Sequence, residues 1–142
     1  MFAVIELFHQ KMERRLSHMF EPKKFLQDIV SKKAEAIRGY FAEDAIICWH
    51  DSNEQFTLDE FIRANCAYPS TWTCEIERIE PFEKGVVIAA QLDHPEDGFY
   101  VKYVSFVELN ANEKVQRLDE YFVAIEEIPQ WRKDMNLGRP IK

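Results

Sequence analysis

The sequence is short of paired cysteines. Cys48, Cys66 and Cys74 are odd in number and form no CxxC pair, so a disulfide framework is not expected and the three read as reduced core thiols of a cytoplasmic protein. Basic charge is also in deficit, with 18 Lys and Arg against 25 Asp and Glu and a net charge of −7. Broad nucleic-acid binding is therefore excluded, because phosphate contacts need clustered cations. The apolar start MFAVIELF is interrupted by Glu6, has no basic region before it and no small-residue cleavage site after it. No stretch approaches the roughly 20 apolar residues of a membrane span. HExxH, P-loop, GxGxxG and nucleophile-elbow patterns are missing as well. No metal, cofactor or membrane partner is expected.

What is present suits one folded domain. The chain has 142 residues, 46% of them hydrophobic and 13% aromatic, including 11 Phe. That is enough to bury a single core and too apolar for a disordered chain. Met1, Ile5, Phe8, Met12, Leu16 and Met19 recur at steps of four and three, one stripe of a helix that Glu21-Pro22 stops. Pro22 suits the first turn of a second helix, with Phe25, Leu26, Ile29 and Val30 turned inward. A third helix is expected over 34–41. Thr57-Leu58-Asp59-Glu60 has capping-box spacing, which predicts a fourth helix over about 58–65.

After Pro69 the pattern becomes β-rich, with runs at 72–82, 85–93, 99–109 and 114–126 separated by turn formers. Successive strands should pair antiparallel. Helices first and sheet afterwards predict an α+β fold, not a doubly wound one. The tail, with Ile128, Trp131 and Ile141, is too apolar to float and is expected to lie over the body.

Alternation sorts the last two runs into faces. Val101, Tyr103, Ser105, Val107 and Leu109 share the face toward the helices, and on the final run Leu118 and Phe122 share theirs with Glu120. An acid on an apolar face is the anomaly. Buried without a cation, Glu120 would have a raised pKa and the tuning of a general base. Paired with Arg38 or Arg63 it would be structural. The apolar run FAEDAIICWH ends in Trp49, a pocket wall or core residue, and His50, a strand-end residue or a hydrogen-bonding acid. Asn65, Tyr68 and Trp72 gather where the fourth helix gives way to sheet, to close a cavity or plug a loop. Asp93, His94, Glu96 and Asp97 have metal-ligand chemistry, yet inside one short turn they read as a solvated hairpin.

Four segments in this order, AEAIRGYFAEDAIICWH, EQFTLDEFIRANCAYP, KVQRLDEYF and PQWR with GRPIK, resemble the SnoaL-like branch of the nuclear transport factor 2-like superfamily. The resemblance covers residues 20–142 and leaves 1–19 as a helical extension, or as an upstream start used in place of Met12 or Met19. It implies a cone in which N-terminal helices pack into a strongly curved, antiparallel-rich sheet, with a cavity open at one end and a homodimer through the outer sheet face. Superfamily members include isomerases, cyclases, dehydratases and non-catalytic binders, so the fold does not choose a chemistry. Ketosteroid isomerases of this fold use a Tyr, an Asp base and a protonated Asp. The matching positions hold Phe25, Trp49 and Ser105, so that mechanism is rejected. The same matching puts Val101, Tyr103, Ser105, Val107, Leu118, Glu120 and Phe122 around the cavity.

The expectation is a homodimeric binder of a small apolar or amphipathic molecule, walled by Trp49, Tyr103 and Phe122, with Ser105, Glu120 and Asn65 orienting its polar end. The alternatives are an acid-base enzyme with Glu120 as base and Tyr103 or His50 as its partner, and a dimerisation module with a filled cavity.

Overall fold

The computed structural model describes the backbone of residues 1–142 and the side chains of all but residues 12–19. Met12, Leu16 and Met19 of the first stripe thus lie outside the described side chains. Three helices open the chain: α1 (Phe2–Met19), α2 (Pro22–Val30) and α3 (Ala34–Tyr40). Pro22 occupies the first turn of α2, where its missing N–H costs nothing. Phe25, Leu26 and Ile29 bury one face of that helix. Asp28 is buried on it too, a polar residue that apolar periodicity passes over. Its carboxylate accepts from Lys24 Nζ at 2.9 Å and from Tyr40 Oη at 2.8 Å, with Lys33 Nζ at 3.6 Å. The Lys24 bond leads in holding its pKa below the ordinary value, and the Tyr40 bond ties α2 to α3.

Strand β1 (Phe41–Trp49) follows α3 directly, so the third helix ends one residue earlier than its apolar pattern suggested. The polar stretch after it holds a short strand, β2 (Glu54–Phe56), which composition had marked as turn. Helix α4 (Leu58–Ala67) begins at the anticipated cap, where Thr57 Oγ1 accepts from the Glu60 N–H at 3.3 Å. The remaining elements are β3 (Thr73–Phe82), β4 (Gly85–His94), β5 (Phe99–Leu109), β6 (Val115–Ala124) and a five-residue helix α5 (Gln130–Asp134). No helix among the described residues is long and apolar enough to cross a membrane.

The fold is α+β, with one six-stranded sheet in the order β2-β1-β6-β5-β4-β3. The four long C-terminal strands form the expected antiparallel meander. The junction between β1 and β6 is parallel, a departure from the antiparallel scheme that periodicity cannot report, since both pairings use the same alternation. The sheet curls around the helices, α2 meeting β3 at one end and α4 meeting β1 and β2 at the other. Phe25, Ile37, Ile47, Phe61, Ile88, Val107 and Leu118 form the centre of the core between them.

Two peripheral segments behave differently from the sequence reading. Residues 125–142 do not bury their apolar side chains: Trp131 is 62% exposed, and the end is tied by an ion pair of Lys142 with Glu77 at 3.7 Å. On α1 the described part of the stripe, Met1, Ile5 and Phe8, faces solvent.

Gly85 is required by close approach. It opens β4 opposite Glu108, and a Cβ there would stand 1.8 Å from the Val107 carbonyl oxygen. That contact is with backbone, so the β4–β5 pair would have to separate. Gly85→Ala is expected to lower stability by about 2–4 kcal/mol. Urea unfolding of the two proteins checks this, and an unchanged midpoint would show that the hairpin yields freely.

Candidate functional site

Parallel register sets Trp49 of β1 beside Glu120 of β6, and antiparallel register sets Ser105 of β5 beside Glu120 on its other side. One row of the inner sheet face is thus Trp49, Glu120, Ser105 and, on β4, Ile88. The next row joins Phe122, Tyr103 and Ala90. Glu120 is only 3% exposed and Tyr103 1%. Trp49 Nε1 donates to Glu120 Oε1 at 3.1 Å. The Trp49 ring meets Phe56 and Phe122 edge-on, with centroids 4.6 Å and 6.1 Å away.

Against this face lies a cavity of about 200 Å³. From the sheet it is lined by Trp49, Leu92, Val101, Tyr103, Glu120 and Phe122. Helix α2 contributes Leu26, Ile29 and Val30, and α4 contributes Ala64 and Asn65. Around the rim stand Lys32, Asp51, Tyr68 and Trp72. Lys32 has its ammonium turned to the Tyr68 carbonyl oxygen, and Asn65 Nδ2 donates to the Phe61 carbonyl at 2.8 Å. The walls are mainly hydrocarbon and aromatic, the composition of a small-molecule site.

Three polar groups at the sheet side depart from ordinary solution behaviour. Burial pushes the Glu120 carboxyl up to about 7; the neighbouring Tyr103 hydroxyl and the Trp49 N–H favour the carboxylate and pull it back, and the Asp51 charge adds a smaller push upward. Burial, and then the Glu120 charge, drives the Tyr103 hydroxyl well above its usual value, so it stays a protonated donor. Tyr103 Oη and Ser105 Oγ have no hydrogen-bond partner among the described residues. Buried hydroxyls in that state cost about 1–3 kcal/mol each. Tyr103 can recover that from a cavity occupant. Ser105 cannot, because it does not line the cavity.

Of the residues selected from sequence, Trp49, Asn65, Val101, Tyr103, Glu120 and Phe122 come together around the cavity, with Tyr68 and Trp72 at its rim. Ser105, Val107 and Leu118 share the inner face but are fully buried in the core. They are a correction to the expected lining: parity assigns a face, and the helices decide which part of it stays uncovered. His50 is also displaced from the expected site. It lies on the outer face, stacked on Tyr121 at 4.2 Å, with Nε2 2.8 Å from Asp119 Oδ1. Arg117 Nε donates to the same Asp119 at 2.8 Å. Neither Arg38 nor Arg63 pairs with Glu120; Arg38 holds Asp59 at 2.7 Å instead, and Glu120 makes no ion pair among the described residues. His94, read as part of a solvated turn, is 1% exposed, its ring stacked on Phe99 at 4.8 Å and edge-on to Trp72. Leu26, Ile29, Val30, Lys32, Asp51, Ala64 and Leu92 were not singled out for the cavity. For the apolar members the inward stripe was visible, but a helix stripe over a cavity is the same stripe as one over a core.

No protein-family model and no curated protein sequence matches the chain. Solved structures do. A protein of unknown function from Burkholderia xenovorans, described as NTF-2 like, superposes with a TM-score of 0.67 at 19% identity over 93% of this chain and 98% of that one. A candidate ketosteroid isomerase from Kribbella flavida gives a TM-score of 0.72 at 19% identity over 93% of each chain. The fold is nuclear transport factor 2-like. A candidate SnoaL-like polyketide cyclase from Shewanella putrefaciens agrees, with a TM-score of 0.63 at 14% identity over 78% of this chain and 89% of that one. Within this nuclear transport factor 2-like domain Phe25 is buried among Phe20, Tyr40 and Phe41, away from the cavity lining.

The raised pKa of Glu120 has a stability consequence. Below the ordinary value of 4.5 both folded and unfolded chains keep the proton. Between 4.5 and about 7 the unfolded chain loses it first, so stability falls as pH rises through this window and levels above it. The displacement corresponds to roughly 3 kcal/mol. Glu120→Gln removes the ionisation, and the variant is expected to be more stable than the parent by about 1–3 kcal/mol at pH 8, with the difference closing toward pH 4. Denaturant titrations at the two pH values measure this; a gap that does not change with pH would contradict the raised pKa.

Proposed function

We propose that this chain is a small-molecule-binding domain whose cavity takes a largely apolar molecule with one polar end, held at Glu120 and Tyr103. The observation that carries the reading is the cavity of about 200 Å³ with a buried carboxyl and an unpartnered hydroxyl set in apolar and aromatic walls. A dry apolar cavity of about 150 Å³ holds benzene. The present one suits a single substituted ring or a compact chain, and is too small for a fused multi-ring skeleton. The proposal includes pairing of two copies through the outer sheet face, where Phe106, Tyr121 and Val123 are exposed.

Native mass spectrometry of gently purified protein reads both parts. A dimer carrying extra small-molecule mass is the expected spectrum. Trp49→Ala is expected to weaken uptake of that molecule at least tenfold, about 1.4 kcal/mol. Unaltered affinity in the variant would place the ligand elsewhere, and a monomer at micromolar concentration would remove the pairing.

A second reading, acid-base chemistry on a carbonyl or hydroxyl compound, rests on one feature: burial pushes the Glu120 carboxyl up to about 7, close to where a general base works best. Tyr103 would be its donor, since His50 is on the other face. Under this reading Glu120→Gln retains the fold and loses turnover of a substrate found by screening. A rate that survives the change excludes Glu120 as the base.

A further inference from the structure

We propose that the polar end of the ligand is a cation, and that the cavity is a site for a small aliphatic or alicyclic amine with Glu120 as its counter-ion. The inference deepens the binding function above and rests on it. Its starting point is a carboxylate without a partner. Glu120 makes no ion pair among the described residues; the groups that favour its charge, the Trp49 N–H on Oε1 and the neighbouring Tyr103 hydroxyl, are both neutral. A buried carboxylate is retained at such a cost only when something pairs with it or protonates it. Glu120 lines the cavity, so an ammonium bound there would have this carboxylate in its wall.

The surroundings favour a cation over a neutral group. Trp49, Tyr103 and Phe122 flank Glu120 and Tyr68 and Trp72 stand at the rim, so an occupant meets aromatic surface from several sides. Aromatic faces attract an ammonium through the ring quadrupole, and more strongly when it is desolvated. The unpartnered Tyr103 oxygen, buried to 1% exposure, is a second acceptor for an ammonium N–H. Asp51 adds negative charge at the rim. Among the described residues Lys32 is the one cation of the lining, and its ammonium is engaged by the Tyr68 carbonyl and lies 6.0 Å from the centre of the Tyr68 ring. Helices α2 and α4 face Glu120 with Leu26, Ile29, Val30, Ala64 and Asn65, none of them charged. Cys74 is the remaining titratable group acting on Tyr103. The net charge of −7 raises the local concentration of cations around the whole molecule.

Cyclohexylamine and cyclohexanol, one ring with a charged or a neutral head, separate the possibilities when titrated calorimetrically into the full chain. The amine is expected to bind at least tenfold more tightly than the alcohol at pH 8. Its affinity should fall about tenfold from pH 8 to pH 6, because it needs the ionised carboxylate while the amine stays protonated throughout. Glu120→Gln should erase the preference for the amine and keep the binding of the alcohol. If the alcohol binds as well as the amine, or the amine affinity is the same at both pH values, the cation assignment is overturned and the apolar-cavity reading stands. If neither probe binds the unmodified chain, both fall together. The pH comparison on the unmodified chain decides the matter even if Glu120→Gln does not fold.

Discussion

The parallel pairing of the first long strand with the last one is the constraint on which the site depends. β1 and β6 are separated by about half of the chain, Trp49 and Glu120 lying 71 residues apart, and their register puts the two level. From that position the indole N–H donates to the Glu120 carboxylate at 3.1 Å. A slip of one residue would turn Trp49 and Ile47 outward and bring His50 and Cys48 inward. The core would then lose Ile47, and Glu120 would lose its donor. Packing and site are set by the same register.

That register also explains why polar groups survive inside an apolar sheet face. The inner row from Trp49 to Ile88 carries an acid and a hydroxyl in sequence positions that a pure core would fill with Val or Leu. Among the described residues Tyr103 Oη and Ser105 Oγ have no partner in hydrogen-bonding geometry, and the carboxyl is shifted toward neutrality by its burial. Each feature costs stability. Such costs are tolerated where a bound molecule or a reaction uses the group, and the cavity lies against two of the three. The outer face shows the contrasting arrangement. There Arg117, Asp119, His50 and Tyr121 satisfy one another in a chain of short contacts, which is structure and leaves no free group aimed at a ligand.

The helices determine how much of the inner face remains open. Leu26 and Ile29 come from a nine-residue helix started by Pro22, and its partner helix is joined to it through the buried Asp28. Were α2 to sit closer to β5, Tyr103 would be sealed as Ser105 is. Its position is maintained by the aromatic cluster of Phe20, Phe25, Tyr40 and Phe41. Phe25 of α2 thus supports the cavity without entering its lining.

Sequence by itself determined the elements and their faces. Pro22, the Thr57 cap, the turn formers and the alternation of the last two strands act through local sterics and burial, which are legible over a few residues; Glu120 was recognisable as an acid on an apolar face for that reason. The tertiary structure alone decided the rest. Strand β2 forms from polar residues because β1 offers it an edge, and the parallel pairing of β1 with β6 joins strands from opposite halves of the chain. His94 goes inside because Trp72 and Phe99 come to cover it. Whether Tyr103 faces a cavity while Ser105 and Val107 face only core depends on how two separate helices, α2 and α4, stop short of the sheet, a long-range distance that no local pattern encodes.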